Sequence, residues 1–174
     1  MKILTFNHMR VLTFTLAMAT HAETISSIST FATGAAVAAT GPDSITVGGG
    51  SVWVSYTNGA DSRGKAGSST VVQYDMNGVV RHTYSILGSV DGLKIEPATG
   101  LVWAMQNQDG NSTLTLIDPK TGITPDSPLT YKATSGTRGY DDVVFRDEQI
   151  FLSYTNPASP TDPTIQRLDT EKVH

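Results

Sequence analysis

The sequence predicts an all-β protein built from about three copies of one four-stranded antiparallel unit. Charged residues make up only 16% of the 174 residues, and Gly is abundant, which is typical of many short strands joined by turns. Short apolar segments alternate with turn residues along the chain, and three sets of landmarks recur at a spacing of just under fifty residues. A period of this length indicates a repeated supersecondary unit.

The first landmark is an Asp placed just ahead of an apolar segment. It occurs at Asp43, Asp91 and Asp141, with spacings of 48 and 50 residues. In each copy the residues after the Asp alternate or run apolar, which predicts a short strand, here called strand a.

The second landmark is a strand that carries an aromatic residue and is followed by an Asn. The aromatic positions are Trp53, Trp103 and Phe151, and they predict strand b. The Asn residues are spaced by 49 residues both times, and they are Asn58, Asn107 and Asn156.

The third landmark is a hairpin signal. The strand ending at Asp75 leads into Asn77-Gly78, and the strand ending at Asp118 leads into a turn that contains Pro119 and Gly122. Asn-Gly and Pro-initiated turns with a following Gly are strong hairpin signals. They predict strands c and d, and a third copy of strand c occupies 164–169.

Each four-stranded unit with apolar residues on both faces must pack against its neighbours, with the aromatic residues of strand b between them. This predicts a partial β-propeller, the N-terminal half of a six- or seven-bladed ring. Blade 1 spans 41–88, blade 2 spans 89–138, and an incomplete blade 3 spans 139–174. Residues 24–34 alternate like a strand and are predicted to be a closing strand of such a ring.

The chain resembles the superfamily of secreted six- or seven-bladed propellers that includes the streptogramin-lyase-like, gluconolactonase-like and NHL-type repeats. The resemblance covers roughly residues 24 to 170. It is carried by FATG at 31–34, GPDSI at 41–45, SVWV at 51–54 and IDPKTG at 117–122. It implies the propeller fold, and several enzymes of this superfamily hold a divalent ion over the central channel. The lyases use histidines from blades that have no counterpart in this sequence.

The N-terminus predicts export. Lys2 and Arg10 precede an apolar run and the small residues around Ala22, a pattern typical of a signal peptide over 1–22 that is cleaved on export. We therefore expect a secreted or periplasmic protein with no stable membrane span after cleavage. The chain has no Cys, so it forms no disulfides. Its net charge of −4 disfavours nucleic acid as a partner.

The repeated Asp and Asn residues define the first candidate site. Strands a and b are antiparallel, so the start of a and the end of b share one rim. Asp43, Asp91 and Asp141 could offer oxygen ligands to Ca²⁺ or Mg²⁺ there. The alternative is that each Asp accepts backbone N–H groups in a turn and each Asn ends strand b.

Arg138 and Asp142 occur in only one repeat and are the better candidates for contact with a ligand, the alternative being a surface ion pair. Asn58, Asn107 and Asn156 are weaker candidates for the same rim. The polar loop at 58–67 could act as a flap over it or could be a tolerated insertion.

These patterns favour an exported module that binds a small-molecule or protein ligand at this rim. A divalent-metal-dependent lyase or lactone hydrolase is the alternative, although the sequence has only four His and no His pair suited to catalysis. Whether the chain is an enzyme is left open. Unpaired strand edges also predict self-association.

Overall fold

The computed structural model describes residues 27–110, 112–130, 138–155, 157 and 159–169. The protein is all-β, with three antiparallel sheets that follow one another along the chain. The first sheet contains β1 (Pro42–Gly48), β2 (Ser51–Tyr56), β3 (Ser68–Asp75) and β4 (Val80–Leu87), in that order. Each strand pairs with the next through a hairpin or loop, because the chain reverses at every turn segment that the sequence marks.

The second sheet has the same order but a divided outer edge. It contains β5 (Val90–Ile95), β6 (Val102–Gln106) and β7 (Thr113–Asp118), with β8 (Gly122–Ile123) and β9 (Leu129–Thr130) both pairing with β7. Between the two short strands the Ser127 hydroxyl accepts a hydrogen bond from the backbone N–H of Leu116 at 2.9 Å. The predicted strand d of this unit therefore exists as two pieces held to β7.

The third sheet contains β10 (Tyr140–Arg146), β11 (Gln149–Tyr154) and β12 (Ile165–Leu168). Strand alternation places Ile150 and Leu152 on the face toward the second sheet, where both are buried. Phe151 is on the opposite face and is only half-buried.

The three sheets share one register. The opening pairs of the first two strands are Pro42 with Tyr56, Val90 with Gln106, and Tyr140 with Tyr154. Immediately after each opening pair the register shifts, and the residue at this β-bulge is the repeated Asp. The sequence repeat is thus a structural repeat, and its Asp residues occupy one equivalent position.

Two apolar clusters hold the sheets together face to face. The cluster between the first and second sheets includes Trp53 and Val71, packed with Leu93 and Ile117. The cluster between the second and third sheets has Trp103 at its centre, and Phe145 meets Trp103 edge to face with 5.1 Å between ring centroids. The prediction that Trp53 and Trp103 fill the space between units is therefore confirmed.

The first strands of neighbouring sheets touch directly. The Ser44 hydroxyl accepts a hydrogen bond from the backbone N–H of Leu93 at 2.9 Å, which joins β1 to β5. A Cβ placed on Gly92 would be 2.5 Å from the carbonyl oxygen of Asp141, so β5 and β10 approach too closely for any other residue there. Each new sheet is thus packed on the one before it through equivalent strands.

The segment before β1 differs from the predicted closing strand. Within 24–34, residues 27–33 form no strand, and Gly34–Val37 form a 3₁₀ turn. Phe31 meets Tyr74 edge to face at 6.2 Å, and Ala32 and Val37 pack against the cluster formed by Val52, Tyr56, Val72 and Tyr74. Ala39 is buried against the face of the first sheet, whereas Phe31 is 45% exposed, so the segment is held by partial packing and not by strand pairing.

Several predictions fall outside the described residues, namely the signal peptide at 1–22, residues 24–26 and Asn156. The proposed unit boundaries at 41–88, 89–138 and 139–174 stay predictions as domain limits. In the part of the chain that the structure describes, no helix has the length and apolar character needed to span a bilayer.

Candidate functional site

The aspartate rim, defined by Asp43, Asp91 and Asp141, is formed where the first strands begin. Because the three residues occupy equivalent bulges in packed sheets, their charges act on one another. The pKa of Asp43 is raised by burial and by the charge of Asp141. The pKa of Asp141 is raised by burial and then by the charges of Asp142 and Asp109.

Asp91 is the most perturbed carboxyl of the rim. Burial raises its pKa to about 6, against the lowering effect of two hydrogen bonds and with further raising by Asp43 and Asp141. The Ser89 hydroxyl donates to one of its oxygens at 2.8 Å, and the backbone N–H of Gln108 donates to the other at 3.2 Å. Asp91 therefore ties the start of β5 to the loop after β6.

The rim does not form a recognisable metal centre. Among the residues that the structure describes, no group of three or more Asp, Glu or His side chains is placed to hold a metal ion. The Ca²⁺ or Mg²⁺ site at Asp43, Asp91 and Asp141 stays a prediction, and so does the alternative of a divalent-metal-dependent lyase or lactone hydrolase.

Asn58 and Asn107 act as equivalent clamps within their sheets. The side-chain oxygen of Asn58 accepts from the N–H of Thr40 at 2.9 Å, and its amide donates to the Thr70 hydroxyl at 3.0 Å. The side-chain oxygen of Asn107 accepts from the N–H of Ser89 at 3.1 Å. Both residues have positive φ, 53° and 61°, which Asn tolerates better than most residues. Each Asn thus joins the segment before strand a to the end of strand b.

Asp142 and Arg138, which occur in the third repeat alone, lie at different positions. Asp142 forms an ion pair with Lys94 of the neighbouring sheet, with 3.5 Å between the charged atoms, and also accepts from the N–H of Val143. Arg138 is half-buried just before β10. Nothing in their geometry tests the prediction that Arg138 and Asp142 contact a ligand.

The loop at 58–67 is folded against the second sheet. The Ser62 hydroxyl donates to the Asp109 carboxylate at 2.9 Å, and the N–H of Asp109 donates to the carbonyl of Ser62 at 3.1 Å. Asp61 orders the loop by accepting from the N–H groups of Arg63 and Lys65. In this structure the loop braces the next repeat, and whether it is a flap or a tolerated insertion stays a prediction.

A ligand-sized concavity lies at the opposite rim, between the turns that join the first two strands of the second and third sheets. This carboxylate groove has a volume of about 530 Å³, within the range of small-molecule sites. It is lined by Glu96, Pro97, Ala98 and the residues from Phe145 to Ile150.

The groove has an apolar wall and an acidic margin. Phe145 and Ile150 are paired across β10 and β11 and belong to the apolar cluster between the sheets. Glu96 is held in place by the indole N–H of Trp103, which donates to its carboxylate at 3.3 Å. Asp147 and Glu148 add two further carboxylates, of which Asp147 is paired with Arg146 at 3.1 Å.

The turn that bears two of these carboxylates has an unusual backbone. Asp147 and Glu148 have φ of 49° and 62° and connect Arg146 to its pairing partner Gln149. The equivalent turn of the first sheet uses Gly49 and Gly50, the residue type suited to this conformation. Sequence reasoning missed this site. The signal was an acidic pair in a turn position that another repeat fills with Gly.

Comparison of the chain with protein-family models, with curated proteins and with solved structures gives no match. The function proposed below therefore rests on the geometry of the sites.

Proposed function

We propose that this protein is a propeller-type repeat module that binds a small organic cation with an apolar body in the carboxylate groove. Three features support the propeller arrangement: the shared register, the face-to-face packing of the sheets, and the direct contact between successive first strands. Export to the periplasm or the cell exterior belongs to the same proposal and rests on the N-terminal sequence.

The observation that carries the binding function is the groove itself. Its volume of about 530 Å³ suits a ligand of drug-like size. Phe145 and Ile150 offer apolar contact, whereas Glu96, Asp147 and Glu148 outnumber the single cation, Arg146. A ligand with an aromatic or alkyl body and one protonated amine matches both properties, because the amine offsets part of the excess negative charge.

The backbone of the turn supports the same assignment. A Glu in the left-handed region costs on the order of 1 kcal/mol more than a Gly, and the first sheet shows that Gly-Gly forms the equivalent hairpin. The Asp147-Glu148 pair therefore weakens the turn locally and places two carboxylates at the mouth of the groove. Binding of a cation adds a favourable interaction at these carboxylates, of which Asp147 already pairs with Arg146.

The experiment is a titration followed by NMR chemical shifts, with three probes of similar size. Protonated 2-phenylethylamine tests the cation, 2-phenylethanol removes the charge, and 3-phenylpropionate reverses it. We expect the amine to bind about 5- to 30-fold more tightly than the alcohol, because an ion pair with the half-buried Glu96 adds on the order of 1–2 kcal/mol. The carboxylate probe should not bind.

Matched variants locate the site. Glu96→Gln and Glu148→Gln keep side-chain size and should each weaken binding of the amine several-fold. Asp126→Asn is the control, because it removes one negative charge from an exposed position on the outer edge of the second sheet. Equal binding of the amine and the alcohol, or amine binding unaffected by both Glu variants, would contradict the proposal.

A further inference from the structure

The first sheet exposes a position that the other two sheets bury. Ile45, Leu93 and Val143 are equivalent, because each pairs with the corresponding residue of strand b: Val54, Ala104 and Leu152. Leu93 and Val143 are each 0% exposed, whereas Ile45 is 61% exposed. Leu93 and Val143 are covered by the preceding sheet, whereas no sheet precedes β1 within the described residues to cover Ile45.

The third sheet exposes the complementary position. Val71, Leu114 and Ile165 are equivalent in strand c, since they pair with Ser55, Met105 and Ser153. Val71 is 0% exposed and Leu114 is 2% exposed, whereas Ile165 is 68% exposed. Here the following sheet covers the first two positions, and no described residue does so for Ile165.

Two further residues extend the exposed face of the third sheet. Val144 is 54% exposed and pairs with Phe151, which is equivalent to the buried Trp53 and Trp103. On the first sheet, Val47 is also exposed beside Ile45. Residues 31–39 cover Val52, Tyr56, Val72 and Tyr74 but leave this first strand open.

The two exposed faces carry positions that elsewhere meet at the contact between successive sheets, although residues 31–39 already cover Val52 and Tyr74, the equivalents of the interface residues Val102 and Ile117. The chain already makes that contact twice, from the first sheet to the second and from the second to the third. In both cases the first strands touch, through Ser44 and Leu93 in one and through Gly92 and Asp141 in the other. The partner that fits the face of the third sheet is thus a surface with the shape and polarity of β1.

We propose that a second copy of this chain docks head to tail, with Val144, Phe151 and Ile165 of one copy against Ile45 and Val47 of the other. The inference is independent of the carboxylate groove. Such a contact is heterologous, since two different faces meet. It therefore predicts that blocking either face alone prevents association, and that two differently blocked copies complement each other.

Sedimentation velocity over a range of concentrations measures the association. We expect the unmodified chain to form species larger than a monomer. Ile45→Glu and Val144→Glu place an unpaired charge in the contact, so each variant alone should associate about 100-fold more weakly. An equimolar mixture should form a two-copy species, because one copy retains an intact first-sheet face and the other an intact third-sheet face.

Val79→Glu is the matched control, because Val79 has the same exposed fraction as Val144, 54%, and lies in the β3–β4 turn. This variant should associate like the unmodified chain. Val47→Glu and Ile165→Glu repeat the test at a second position on each face, and circular dichroism verifies that every variant is folded.

Three results would overturn the proposal. The first is that the unmodified chain stays monomeric at all concentrations, because a second copy would then not be the partner of these faces. The second is undiminished association of the folded variants at either face. The third is a mixture of Ile45→Glu and Val144→Glu that stays monomeric, since only a head-to-tail contact allows the two variants to complement each other.

Discussion

Replacing Asn107 with Ala tests whether the repeated Asn is a structural clamp. Asn107 is buried, and its side-chain oxygen accepts the N–H of Ser89, which is also buried. The substitution removes that acceptor and leaves an Ala at φ 61°. An unpaired buried N–H costs about 1–3 kcal/mol, and an Ala in the left-handed region costs about 1 kcal/mol, which gives a loss of about 2–4 kcal/mol in the free energy of unfolding.

Urea denaturation followed by tryptophan fluorescence measures this loss, and two further variants separate its parts. Asn107→Gly removes the hydrogen bond without the backbone strain, so it should recover about 1 kcal/mol relative to Asn107→Ala. Asn58→Ala should lose only about 1–2 kcal/mol, because Asn58 is exposed and water can replace its side chain. If Asn107→Ala were as stable as the unmodified chain, the role of Asn107 as a structural clamp would be refuted.

Two more predictions follow from the packing and charge of the first strands. Leu93→Ala should lower the free energy of unfolding by about 2–5 kcal/mol and Ile45→Ala by less than about 1 kcal/mol, because only Leu93 is buried between sheets; equal losses in urea denaturation would contradict this. Burial raises the pKa of Asp91 from 3.8 to about 6, so the folded state binds more protons than the unfolded state between these values, and stability should fall as pH rises from about 4 to about 6. Asp91→Asn should remove this contribution, so the variant should gain stability relative to the unmodified chain on going from pH 4 to pH 7. A difference in the free energy of unfolding between the two chains that does not change with pH would count against the raised pKa.

The repeat could be predicted from the sequence because the same local features, a bulge residue and a turn, recur along the chain. Each first strand carries an Asp at its bulge, and Asn58 and Asn107 follow the second strands of the first two sheets. The hairpin signals of Asn77-Gly78 and Pro119 to Gly122 are likewise local, since turn geometry depends on a few adjacent residues. Such features predicted the all-β class and the antiparallel strand order.

The contacts of the candidate site could not be predicted from the sequence as well as the strands could. The contact of Asn107 with the N–H of Ser89 and the pairing of Asp142 with Lys94 were not predicted, and the second of them depends on the packing of two sheets. The carboxylate groove joins Glu96 to Glu148, which are distant in sequence and close only because the second and third sheets pack face to face. No periodic pattern in the sequence predicts that two such distant residues lie close together.

The sequence by itself determined the unit, its four-stranded order and the residues that pack between units, because alternation and turn chemistry act over a few neighbours. Only the tertiary structure decided that residues 31–39 pack on a sheet face without forming a strand. It also decided that Ile45 is exposed while Leu93, in the same position of the repeat, is buried. The physical reason is that the burial of a residue depends on whether another sheet packs on its face, and the sequence of its own strand does not determine this.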